Sequence, residues 1–222
     1  MVPRGSVGSM PQSKPSALER RIKSRRLKNT DGKYFITLEA LSAEVKEADV
    51  RAALREIDWP AERLNEATDK VMNGGVKTFA ILYTHGELDQ LQRFIENDQL
   101  QRNSQLDQKL PLQIADLQML FDAPADAKIR IEGLQKQAHR SAVEEEELER
   151  LLDVTHRANE VHDGQFEYCV PSFQQNLSHR RLDTYIRLPF TSQVDCGEGA
   201  YGRVYMVTLP ALQFGSPEDK VS

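Results

Sequence analysis

The residues best suited to chemistry lie towards the C-terminal end, where Cys196-Gly197-Glu198-Gly199-Ala200-Tyr201-Gly202-Arg203-Val204-Tyr205 contains the spacing G-x-G-x-x-G-x-V. Glycines at that spacing allow a backbone loop to come close to an anion, because no Cβ keeps the amide N–H groups away from phosphate oxygens. The flanking pattern separates two kinds of phosphate site. A dinucleotide-binding fold would open a helix at the third glycine. Here Tyr185 to Val194 predicts a strand before the motif, and Arg203 to Leu209, with Val204 and Val207, predicts a second strand after it. The expected element is a β-hairpin with Gly197 to Gly202 as its turn. The plainest alternative is a hairpin whose glycines only permit that turn.

A second set of candidates is cationic. Arg20, Arg21, Lys23, Arg25, Arg26 and Lys28 crowd together between Pro11 and Lys33, a stretch whose large apolar residues are Leu18, Ile22 and Leu27. One reading is a solvated, flexible arm. The other is a nuclear-import or nucleic-acid patch, since clustered Lys and Arg are what phosphate contacts require. Against general nucleic-acid binding stands the charge of the whole chain, 29 Lys and Arg against 34 Asp and Glu, a formal net of -5. Two short helical patterns that follow could form a helix-turn-helix. The second carries Arg51 and Arg55 against Asp49, Glu56 and Asp58, which is not a positive reading face.

Other reactive types lack partners in sequence. His85, His139, His156, His162 and His179 form no H-E-x-x-H pattern, and no metal site is expected. Ser141 and Ser192 have no G-x-S-x-G context. The two cysteines, Cys169 and Cys196, are too few for a disulfide framework or a structural zinc site, which fits a reducing, intracellular setting. Cys196, beside the loop, is either a reactive thiol or a small apolar filler. No apolar run reaches the roughly 18–20 residues that a membrane span needs, so no membrane partner is expected.

The elements that would position these residues are mostly helical. Leu38, Leu41 and Val45 recur at helical spacing, then Val50, Ala53, Leu54 and Ile57, with Glu47 to Asp49 between them. Pro60 opens a helix through Leu64, Ala67 and Val71 that Asn73-Gly74-Gly75 interrupts. The run Val76 to Tyr83 is the most hydrophobic in the chain and predicts a buried core element. Leu88, Leu91, Phe94 and Ile95 define another amphipathic face, Gln99 to Gln108 a loop, and Ile114, Leu117, Leu120 and Phe121 a further helix. From Ser141 to Val161 the helical pattern returns, its acidic run Glu144 to Glu147 suiting a solvated first turn. After Asp163-Gly164, the alternation of Phe166, Tyr168 and Val170 with Glu167 and Cys169 predicts a strand ending at Pro171.

With its strand context, the glycine motif resembles the glycine-rich loop of protein kinases. The likeness extends back through Phe166 to Phe173, His179, Leu182 and Leu188-Pro189-Phe190, and further to Lys77-Thr-Phe-Ala-Ile-Leu82 and Asp107 to Leu112. Over roughly residues 35–209 the chain resembles filamentous-fungal protein-kinase-like proteins, in which a helical region leads into the loop. The resemblance implies nucleotide contacts from Gly197, Gly199, Ala200, Tyr201 and Gly202, with Val204 covering the adenine. It also implies ATP and Mg as cofactors of an intact parent Ser/Thr kinase. The chain ends before a V-A-I-K lysine, an H-R-D aspartate or a D-F-G metal ligand, so no catalysis and no cofactor are expected of it by itself.

The expected fold class is mainly α with a small C-terminal β-hairpin or sheet. Residues 1–9 contain Val-Pro-Arg-Gly-Ser and read as an expression-tag remnant, 10–34 as a basic flexible arm, and 35–162 as a helical regulatory or interaction domain. Residues 163–209 read as a β segment like the start of a kinase N-lobe, and 210–222 as a flexible tail. The favoured function is a regulatory or protein-interaction region that binds protein partners. Two other readings stand beside it: a DNA- or chromatin-associated helical module using the basic arm, and an inactive fragment of an otherwise active kinase. A cytoplasmic or nuclear setting suits all three. A two-stranded hairpin is marginal alone, so it must pair with the 166–170 strand, lean on the helices, or exchange with a second copy as a homodimer.

Overall fold

The computed structural model describes residues 15–96, 105–171, 184–199 and 202–210. Among them the fold is mainly helical, with a small antiparallel sheet at the C-terminal end. The order is α1 (Ala17–Ser24), β1 (Leu27–Lys28), β2 (Tyr34–Phe35), α2 (Leu38–Glu44), α3 (Glu47–Glu56), α4 (Leu64–Met72), α5 (Val76–Thr84), α6 (Leu91–Glu96), α7 (Ile114–Leu120), α8 (Ala127–Gln135), α9 (Ala142–Gln165), β3 (Ser192–Gly199) and β4 (Gly202–Thr208). No helix among the described residues is long and apolar enough to cross a membrane.

Side chains that satisfy the free N–H groups of the first turn set several helix starts. The Ser16 hydroxyl accepts from the Glu19 amide at 3.0 Å and starts α1. Thr37 does the same for α2 through the Ala40 amide at 3.2 Å. Ser141 and Glu144 form a reciprocal capping box at the start of α9. The acidic run therefore sits in the first turns of that helix, as its charge suggests.

The apolar helix α5 lies at the centre of the core. Val76, Phe79, Ala80, Ile81 and Leu82 are all buried, so the helix is enclosed around most of its circumference rather than along one stripe. Helices α2, α4, α6 and α9 pack on it. Its N-terminus is capped from a distance: the Asp107 carboxylate accepts from the Lys77 and Thr78 amides at 3.0 and 2.8 Å and from the Thr78 hydroxyl at 2.8 Å. Gly75 is required at the preceding bend, because a Cβ there would fall 2.7 Å from Leu106 Cδ1 and 3.0 Å from the Lys70 carbonyl.

Helix α9, about 36 Å long at 1.5 Å per residue, ties the late chain to this core. Its last residue, Gln165, is buried and pairs with Leu112 as another peptide unit would. Its Oε1 accepts from the Leu112 amide at 2.7 Å and its Nε2 donates to the Leu112 carbonyl at 2.9 Å. Arg157 forks onto buried Glu87, with Nε donating at 2.8 Å and Nη2 also bonded, while its guanidinium lies 5.1 Å above the Phe121 ring. A smaller cluster, Ala127, Ile131, Leu148 and Leu151, joins α8 to the start of α9. The sparse spacing of Ala127 and Ile131 does not announce α8 in the sequence.

Three expectations need correction. The segment from residue 15 to 34 is not a flexible arm: Leu18 and Ile22 of α1 are buried in the main core, and β1 pairs with β2. Residues 10–14 lie outside the described residues, as do 1–9 and 211–222. Phe166 to Val170 is not a strand. Helix α9 continues through Asp163-Gly164, and the chain then turns with the Glu167 amide bonded to the Gly164 carbonyl and the Tyr168 and Cys169 amides to the Gln165 carbonyl. Residues of both parities are buried there, Glu167 and Cys169 as well as Phe166, Tyr168 and Val170, so the alternation marks no two-faced strand. Finally, residues 185–190 form a strap outside the ladder, and the first hairpin strand begins only at Ser192. Pro189 in the strap has no N–H for a ladder.

Candidate functional site

The glycine motif lies on β3 and β4, which pair from Ser192↔Thr208 to Gly199↔Gly202. The ladder thus runs past Gly197 to Gly199 and Gly202, closer to the turn than the sequence suggests; Ala200 and Tyr201 lie outside the described residues. A bulge at Asp195/Gly197 leaves Cys196 as the extra residue. Gly197 and Gly202 have φ of 117° and 133°, a region that favours glycine, so the bulge and the turn both need these residues. The Asp195 carboxylate accepts from the Gly197 amide at 2.8 Å and braces the bulge.

Register assigns the side chains to two faces. Val194 lies opposite Met206, and Val204 is two residues from Met206 on the same strand, so these three share a face. They are 51, 62 and 60% exposed, which makes this an uncovered apolar face. Gln193 lies opposite Val207 and Asp195 opposite Tyr205, forming the other face. That face overlooks the β1–β2 turn: Gln193, Asp195 and Tyr205 line a cavity of about 470 Å³ with Thr30 and Asp31.

The strap before β3 is held from several sides. The Thr30 amide donates to the Phe190 carbonyl at 2.8 Å, and Asn29 Nδ2 donates to the Leu188 carbonyl at 3.2 Å. The Asn29 Oδ1 also accepts from the Asp31 and Lys33 amides, at 3.1 and 2.8 Å, and so shapes the turn that grips the strap. Arg187 donates to the Tyr34 carbonyl and lies 3.7 Å from the Glu167 carboxylate. Burial holds its guanidinium below its ordinary pKa, with Glu167 opposing that shift. Tyr185 stacks on Phe166 with ring centres 5.7 Å apart.

The cationic candidates face their own chain. Arg21 reaches Asp49 at 2.6 Å, Arg25 reaches Glu44 at 2.6 Å, Arg26 reaches Glu167 at 2.5 Å, and Lys23 pairs with Glu19. Lys28 sits 5.8 Å above the Tyr34 ring, and Arg20 is exposed. With four of the six cations on carboxylates, the group brings α1 against α2, α3 and the end of α9. It does not form a uniformly positive face of the kind that phosphate contacts use.

The cysteines differ sharply. Cys196 is exposed on the hairpin, whereas Cys169 is buried in the core and its thiol is pushed up to about 12 by burial. Among the described residues, no group of three His, Cys, Asp or Glu side chains is placed to hold a metal ion. Sequence reading missed Asn29, Thr30 and Arg187. Asn29 and Thr30 carry a legible signal as a turn sequence, Asn29-Thr30-Asp31-Gly32, but their grip on residues 188–190 is a long-range contact that no local pattern encodes. No protein family, curated protein or solved structure matches this chain.

Proposed function

We propose that this chain is the helical regulatory or interaction region of a protein-kinase-like protein, carrying the first two strands of a kinase N-lobe at its end. The observation that carries this reading is the hairpin: G-x-G-x-x-G-x-V on two antiparallel strands, with Val204 on an open apolar face. In an intact parent, Gly197, Gly199, Ala200, Tyr201 and Gly202 would lie along ATP phosphates with Mg, and Val204 would cover the adenine. The helical body would bind a protein partner in an intracellular setting. Phosphoryl transfer depends on positioned charges that this sequence lacks, so the chain does not catalyse it.

A chimera tests the reading directly. Residues 190–209 replace the first two strands of a well-behaved Ser/Thr kinase, and peptide phosphorylation is measured. Retained activity that falls on Gly199→Val supports a competent glycine-rich loop, and an inactive but folded chimera contradicts it. The chain alone, titrated with a fluorescent ATP analogue and magnesium, should show no saturation below about 1 mM, because the lysine and metal ligands that hold the phosphates are missing.

A further inference from the structure

We infer that the β1–β2 turn of the helical body is a clamp that holds the glycine hairpin through the strap leading into it, with the hairpin's polar back towards the turn, so that the body sets the hairpin's orientation while leaving the apolar face bearing Val204 open. This rests on the functional reading above only for the meaning of that face; the clamp itself follows from the contacts.

Register and cavity lining agree on which face of the hairpin is towards the turn. Register places Gln193, Asp195, Tyr205 and Val207 on one face of the hairpin, and Gln193, Asp195 and Tyr205 share a cavity with Thr30 and Asp31 of the turn. Val207 on that face is half-buried, whereas Val194, Val204 and Met206 on the other are mostly exposed. The body is therefore behind the hairpin, away from the face that would meet an adenine. A regulator attached there acts by steering or releasing the loop, not by filling the ligand site.

The grip is polar and local. Asn29 sits at its centre because its amide works in both directions: Oδ1 accepts two turn amides while Nδ2 donates to the Leu188 carbonyl. The Thr30 amide adds a bond to the Phe190 carbonyl only two residues before β3, and buried Pro189 lies between these two anchor points. Arg187 extends the hold to β2 and to Glu167 at the end of α9. A two-stranded hairpin has little stability of its own, so its fixed position must come from such anchors. The clamp joins three distant parts of the chain: the β1–β2 turn, the end of α9 and the strap.

The variant that isolates the clamp is Asn29→Asp. It keeps the oxygen that accepts from Asp31 and Lys33 but replaces the donor to Leu188 with an acceptor, setting two oxygens against each other. Cys196 offers a selective label site, since the only other cysteine is buried. A nitroxide on Cys196 and another on an introduced Glu149→Cys, exposed on α9, report the hairpin's orientation by pulsed dipolar spectroscopy. The parent protein should give one narrow distance distribution. Asn29→Asp should broaden it about two-fold or more, as expected when a weakly held segment is released, with the thermal midpoint nearly unchanged. A distribution already broad in the parent overturns the clamp, as does one that Asn29→Asp leaves unaltered. A large fall in thermal midpoint would make Asn29 a general structural residue and equally overturn it. None of these readouts involves nucleotide, so an inactive chimera and an absent clamp are separate failures.

Discussion

In the helical body, Phe79, Leu91 and Leu106 are fully enclosed, and polar groups such as Gln165 and Asp107 are bonded to backbone that would otherwise be buried without partners. In the hairpin, Val194, Val204 and Met206 each leave at least half of their surface to solvent, and the hydrogen bonds to the body are made by the strap. The two regions are therefore held by different forces. The body relies on apolar burial, while the hairpin relies on a ladder and a few directed hydrogen bonds. Core substitutions should unfold the body, whereas hairpin-face substitutions should leave global stability almost untouched.

The largest effect should come from Phe79→Ala. Truncating a fully buried ring on the central helix removes its transfer free energy and leaves a cavity, at a cost of about 3–5 kcal/mol. Urea unfolding followed by the circular dichroism of the helices would measure it. A cost under about 1 kcal/mol would mean that α5 is not the centre of the core. Next comes Gln165→Ala, which strands the Leu112 amide and carbonyl together. Each buried orphan costs about 1–3 kcal/mol, and water entering the space left behind should moderate the sum to about 2–3 kcal/mol. Gln165→Glu sharpens the point, because it keeps the acceptor for the Leu112 amide while losing the donor to its carbonyl.

How far the sequence reveals this division depends on the range of the contacts. Helical periodicity locates α2 to α4, α6, α7 and α9 because it is local: Leu38 and Leu41, or Leu117, Leu120 and Phe121, face one way by their spacing alone, whereas α5 shows in the sequence only as a buried apolar run. It fails at Phe166 to Val170, where a buried turn with both parities inside imitates alternation. It also fails at Val143 and Leu152, which fit the period of α9 but lie exposed. The basic segment misleads in another way. Composition shows six cations but not the carboxylates of α2, of α3 and of Glu167 just past α9 that receive three of them. For the glycine hairpin, the motif and its two strands are legible, while the bulge at Asp195/Gly197 and the grip of Asn29 are not.

A pH series distinguishes burial from hydrogen bonding within the body. Burial is the largest influence on the Asp107 carboxyl and holds it above its ordinary value of 3.8, even though the Thr78 and Lys77 bonds pull the other way. The folded protein therefore binds that proton more tightly than the unfolded chain does. Its contribution to stability is full below pH 3.8 and is lost as pH rises through the higher folded value. Measured against Asp107→Asn, which cannot titrate, the stability of the parent should decline across that window and then level off. A rise instead of a decline would show that the amides of Lys77 and Thr78 stabilise the carboxylate by more than burial opposes it.

The smallest expected effect tests the hairpin's side of the comparison. Met206→Ala removes an apolar side chain that is 62% exposed, so little surface returns to water and no cavity forms. The change in unfolding free energy should stay within about 0.5 kcal/mol. Met206 shares its face with Val194 and Val204, so the result reports on the whole face. A cost above about 1 kcal/mol would mean that something covers the face in solution. Repeating the measurement over a range of protein concentrations would then identify the cover. A cost that grows with concentration points to a second copy of the chain, and one that does not points to a segment of the same chain folded across Val204.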